Sequence, residues 1–147
     1  MGGEPYYYFV PYENDYNSAL QKLREREFKA GRYFPATFSV GFLPGVDTVS
    51  PGAKHDTIND AIEDAAEEGT KSILDLHKVS EEEGFCIARI LSPDETQKYF
   101  GTDKPEHEQV VNCMELFESV ERGCGVCVPV FRDGEPVELF FMGYSFD

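Results

Sequence analysis

The sequence predicts an α+β fold: a mostly antiparallel sheet with helices packed on one face, in a single domain spanning residues 1–147. Three observations lead there. Segments of strand and helix character follow one another as β-α-(loop)-α-β-β-α-α-β-β, an order that makes hairpins rather than regular βαβ alternation. The last two strands flank RDGEP, a turn cluster with Asp-Gly at its centre. The helical segments carry recognisable start and stop residues.

Taken in order, PYYYFVPY (5–12) favours β structure and is apolar on both faces, so it reads as a central strand bracketed by prolines. ENDYNSALQKLREREFKAG then changes to helical period, with Asn14 or Asp15 as cap and Gly31 where a C′ glycine belongs. Tyr16, Leu20, Leu23 and Ala30 form its apolar stripe. Residues 32–56 are rich in Pro and Gly, with one short strand-like piece around Phe38 to Phe42; long connections of this kind often carry function. DTINDAIEDAAEEG is a helix capped by Asp56 or Thr57 and closed by Gly69, with Ile58, Ala61, Ile62, Ala65 and Ala66 on its apolar face. KSILDLHKV and FCIARIL read as strands around the acidic turn SEEEG. SPDETQKYFG is a short helix with Ser92 as N-cap, Pro93 at N1 and Glu95 completing a capping box. KPEHEQVVNCMELFESVERG reads as one long amphipathic helix ending at Gly123, and GVCVPVF and VELFFMGYSF are the closing strands.

Composition narrows the function classes. The apolar runs are far shorter than the roughly 20 residues of a membrane span. The N-terminal residues lack the basic and apolar regions of a secretory signal, which with four cysteines points to reduced thiols and a cytoplasmic location. The net charge is −15, from 28 acidic and 13 basic side chains. Residues 1–34 hold five acids and five bases, 35–100 thirteen and five, and 101–147 ten and three. Such a field disfavours direct contact with nucleic acid or anionic membranes and attracts a basic partner, although solubility alone also explains it.

Cys124 and Cys127 have C-x-x-C spacing, but in a strand residues three apart point to opposite faces. A structural zinc site needs four ligands, and a redox dithiol sits at a helix N-terminus rather than before a strand. Cys113 and Cys86 fall in apolar settings and read as small core hydrophobes. No metal and no cofactor is therefore expected. Asp75 and His77 stand two apart on a predicted strand, where a metal or a general base is one reading and ordinary side chains of a half-exposed face the simpler one. No G-x-S-x-G, GxGxxG, P-loop or HExxH occurs, and His55, His77 and His107 are scattered.

Two candidate surfaces remain. Glu27 falls at the centre of the first helix's apolar stripe, so its carboxylate must be paired, protonated or beside a cavity. Arg24, Arg26 and Arg32 are within reach, giving either a structural ion pair or a carboxylate–arginine ligand site made of Arg26, Glu27, Arg32, Tyr33 and His55 at the mouth of the 32–56 loop. The second surface is the acidic face Asp60, Glu63, Asp64, Glu67 and Glu68, which has no Lys or Arg from 55 to 70 to pair with.

LREREFKAGRYFP (23–35), GTKSILDL (69–76) and the terminal GYSFD (143–147) together resemble an uncharacterised family of small acidic bacterial proteins. The resemblance implies a bacterial source and one compact domain, and brings no chemistry. The charge map and the lack of an assembled catalytic motif point to a non-enzymatic acidic binding protein of inhibitor, immunity or antitoxin type, masking a basic protein such as a nuclease toxin. The alternative is a small enzyme or ligand-binding domain centred on Glu27, Arg32, Tyr33 and the long loop.

Overall fold

The computed structural model describes residues 4–34, 36 and 52–146; the strand-like piece at 38–42 lies outside them. Among the described residues, five strands form one mixed, mostly antiparallel sheet: β1 (Pro5–Pro11), β2 (Lys78–Ser80), β3 (Ile87–Ile90), β4 (Gly125–Arg132) and β5 (Glu135–Tyr144), in the order β1-β5-β4-β3-β2. The β1–β5 and β5–β4 pairs are antiparallel, and β4–β3 and β3–β2 are parallel. The helices are α1 (Tyr16–Ala30), α2 (Ile58–Ala65), α3 (Pro93–Phe100), α4 (His107–Val111) and α5 (Met114–Ser119). The α+β class is as the sequence predicts. None of these helices is long and apolar enough to cross a membrane.

The helices cover both faces of the sheet, not one. Tyr6, Tyr8 and Val10 of β1, Cys127 of β4, and Leu139 and Phe141 of β5 pack with α1 and α2 in one core cluster. Val126, Val128 and Val130 of β4, with Phe140 and Met142 of β5, pack with α3, α4 and α5 in a second. The physical reason is the apolar character of β4 and β5 at consecutive positions: both sides of such strands need cover. The same arrangement corrects the placing of β1. Its two apolar faces suit a sheet covered on both sides, but β1 is an edge strand, and Pro5 and Pro11 stand at its ends where a missing N–H is tolerated.

The hairpin at β4–β5 forms as expected. Asp133 and Gly134 have φ of 53° and 81°, the left-handed pair that a two-residue turn of matching twist requires. By contrast, β2 and β3 are parallel neighbours instead of a hairpin. Parallel strands ordinarily need a long crossover. Here β2 is three residues long, about 10 Å, so the connection through 81–86 is long enough to double back.

Two other segments depart from expectation. Only Lys78–Ser80 of the 71–79 stretch is strand; Ile73–Asp75 is a 3₁₀ turn capped by Ser72, whose hydroxyl accepts from Leu74 N–H. Local side-chain bonds to the backbone compete with ladder formation there. The long helix over 104–123 is broken at Asn112 and Cys113, where Cys113 leaves helical geometry with ψ of 88°. Val110 and Leu116 are fully buried in this segment, and Met114, inward in a continuous helix, is 66% exposed. Asn in mid-helix favours such a break.

Candidate functional site

The site is built where α1 ends. Asp15 caps the start of α1 by accepting from Ser18 N–H, and Gly31 ends the helix with φ of 78°. A side chain at residue 31 would be strained by that φ and would also strike the Gly52 carbonyl, so glycine is needed on two grounds. Gly52 N–H donates to the Ala30 carbonyl at 2.9 Å, which pins the far end of the long connection to the end of α1.

Glu27 sits one turn before this point and is 2% exposed. Arg32 is 4% exposed and holds it in a bidentate pair: Nε donates to Oε1 at 2.7 Å and a terminal nitrogen to Oε2 at 2.7 Å. Arg26 Nε donates to Oε2 at 2.8 Å. The carboxylate is thus sealed and charge-matched, and of the two readings of Glu27 it is the structural ion pair that is found. It ties α1 to the chain beyond Gly31.

Tyr33 and His55 form a second group beside the first. The buried Tyr33 hydroxyl lies 2.8 Å from His55 Nδ1, and Lys54 N–H donates to the same hydroxyl oxygen at 3.2 Å. His55 Nε2 lies 2.9 Å from Asp64 Oδ2 on α2. With Asp64 ionised, one polarity satisfies every atom: Nε2–H donates to Asp64, and Nδ1 accepts from the tyrosine hydroxyl. Burial raises the Tyr33 hydroxyl pKa above its ordinary value, so the tyrosine stays protonated and acts as a donor. The chain Tyr33–His55–Asp64 joins two candidate sets that the sequence kept apart. No periodic signal announces it, because Asp64 lies nine residues after His55 with a helix cap between them.

The remaining acids of α2 and the turn after it, Asp60, Glu63, Glu67 and Glu68, are exposed and form no ion pair with Lys or Arg among the described residues. Thr57 caps this helix by accepting from Asp60 N–H. The acidic face is therefore presented to solvent, with Asp64 its one member tied back to the protein.

Asp75 and His77 do not share a strand face. Asp75 lies in the 3₁₀ turn, 2% exposed, where Oδ1 accepts from Thr70 N–H and Thr70 Oγ1 and Oδ2 accepts from Lys71 N–H. Burial raises its pKa despite those donors. Burial and then the nearby Arg24 lower that of His77. The buried polar set Thr70, Ser72 and Asp75 was missed in the sequence; its trace is the short polar residues interleaved in GTKSILDL.

Cys127 is buried in the first core cluster, whereas Cys124, just before β4, is half-buried and lines a cavity. All four cysteines are free, and burial raises the thiol pKa of Cys86 to about 11. Among the described residues no group of three or more His, Cys, Asp or Glu side chains is placed to hold a metal ion. No family model matches the chain, and neither a curated protein nor a solved structure matches it.

Proposed function

We propose that the protein is a non-enzymatic acidic binding protein, of inhibitor, immunity or antitoxin type, that masks a basic protein partner in the cytoplasm. One observation carries the reading: α2 and the turn after it present Asp60, Glu63, Glu67 and Glu68 to solvent, with no Lys or Arg paired to them among the described residues. Like charges at helical spacing cost stability, and complementary charge on a partner offsets that cost, speeds association and makes it sensitive to salt. The sealing of Glu27 by Arg32 supports the same reading, because it removes the carboxylate from the rival site.

The experiment is retention of proteins from the native host on the immobilised chain at low and high salt, with a variant carrying Asp60→Asn, Glu63→Gln and Glu67→Gln alongside. A specific basic protein held at low salt, released at high salt and not held by the variant supports the proposal. Equal retention by both forms removes it.

A second reading has one observation in its favour. The Tyr33–His55–Asp64 chain is a hydrogen-bonded series of the kind that orients an imidazole for ligand binding or proton transfer, so a small-ligand site around Tyr33 and His55 remains the alternative.

A further inference from the structure

A cavity of about 380 Å³ lies between the connection preceding β3 and the segment preceding β4. Small-molecule sites begin at roughly this size. Its walls carry opposite charges, Arg89 and Arg122 against Glu83 and Glu121. Arg89 on β3 has a terminal nitrogen donating to Glu95 Oε1 at 2.6 Å, which fixes the guanidinium at the cavity wall, near Glu83. Glu121, exposed on the facing segment, and Glu83 supply carboxylates. Val120 and Val126 supply apolar surface between the charges.

Phe85 completes the cavity. It is 64% exposed, yet it is held in place: its ring packs on Phe146 at 4.8 Å between centroids and lies directly over Gly123, where any side chain would collide with it. An exposed aromatic that already packs on its neighbours contributes to binding with less ordering cost than a free one. A cation alone would meet Arg89 and Arg122, and an anion alone would meet Glu121 and Glu83, each at an electrostatic penalty. A molecule bearing both charges and an apolar arm avoids both penalties.

We infer that this cavity binds a small zwitterion of the α-amino-acid type with an apolar or aromatic side chain, its carboxylate at Arg89, its ammonium at Glu121 and its side chain against Phe85, Val120 and Val126. This site is independent of the acidic face of α2.

The test is titration of isotopically labelled protein with L-leucine and L-phenylalanine, read by amide chemical shifts. The expected result is saturable shifts centred on residues 83–89 and 119–126. Glu121→Gln, at an exposed position, should weaken binding by roughly five-fold or more, the loss of one charge-assisted contact. Leucinol and 4-methylpentanoate, with one charge each, should bind more weakly by a similar factor. No saturable shift at about 20 mM, a concentration that would reveal even millimolar affinity, would overturn the inference. So would indifference to Glu121→Gln, or equally tight binding of either singly charged analogue.

Discussion

Arg32 reaches back across the left-handed turn at Gly31 to clamp both carboxylate oxygens of Glu27, five residues earlier, inside a site from which water is excluded. A pair of this kind responds unequally to single and double replacement. Arg32→Ala leaves a buried carboxylate with only the half-exposed Arg26 and should cost about 3–5 kcal/mol. Replacing both Glu27 and Arg32 by Met should cost less than Arg32→Ala alone, because no buried carboxylate is left behind and Arg26, which loses Glu27, is half-exposed. Urea unfolding of the single and double variants checks the order.

Tyr33→Phe removes one hydroxyl that serves two neighbours, Lys54 N–H and His55 Nδ1. The expected loss is about 1–2 kcal/mol. Faster hydrogen exchange at the Lys54 amide should accompany it, while amides of the β4–β5 hairpin keep their protection.

Glu95 supplies an acid-sensitive contribution to stability. The Arg89 guanidinium, with help from Ser92 at the helix start, lowers its pKa from 4.5 to about 2 despite some desolvation. A folded-state value below the unfolded one means stability that is fully present above about 4.5 and lost as pH falls toward 2. Melting temperature measured across this interval should therefore fall less steeply in Glu95→Gln than in the native chain, and the variant should start from a lower value at neutral pH. An unchanged slope would mean that the pair is not formed in solution.

The helix expected to run to Gly69 ends at Ala65, where Ala66 turns to φ of 53°, so Glu67 and Glu68 lie in a separate 3₁₀ turn. Asp60→Asn and Glu63→Gln on α2, with Glu67→Gln in that turn, relieve the helical like-charge pairs Asp60–Glu63 and Asp60–Asp64 while leaving Asp64 on His55. Thermal stability should hold or rise by up to about 0.5 kcal/mol per relieved pair. Binding to a basic partner should weaken and lose most of its salt dependence. Adding Asp64→Asn should reduce the stability gain, since an amide oxygen accepts from His55 Nε2–H more weakly than the carboxylate it replaces. Calorimetric melting of the two variants separates the contributions.

Local chemistry was legible in the sequence and long-range pairing was not. Ser92, Pro93, Glu95 and Gly101 each do at α3 what a short-range rule requires, and the structure contains the capping box and left-handed C-cap they specify. Asp133-Gly134 is as local, and forms its hairpin. The parallel partnership of β2 with β3 depends on a connection that doubles back at Cys86, with φ of 65°, a conformation no rule assigns to cysteine. The break at Asn112 depends on which apolar residues the sheet accepts, and periodicity within the segment cannot report that. The candidate site divides the same way. Glu27 stood out as a carboxylate in an apolar stripe, and its ion pair was foreseeable from nearby arginines. His55 and Asp64 meet only because Thr57 starts a helix between them.

The edge position of β1 has a consequence for synthesis. Among the described residues its one neighbour in the sheet is β5, so that Tyr8 stands opposite Phe141. A ribosome delivers Tyr6, Tyr7, Tyr8 and Phe9 long before residues 135–144 emerge. For most of translation this aromatic segment has α1 to lean on but no ladder to join, and unpaired apolar strands at that stage are where chains associate wrongly. The prolines that bracket β1 then act during biogenesis as well as in the finished sheet. By removing N–H donors at Pro5 and Pro11, they shorten the stretch on which a second nascent chain could pair before the proper partner arrives.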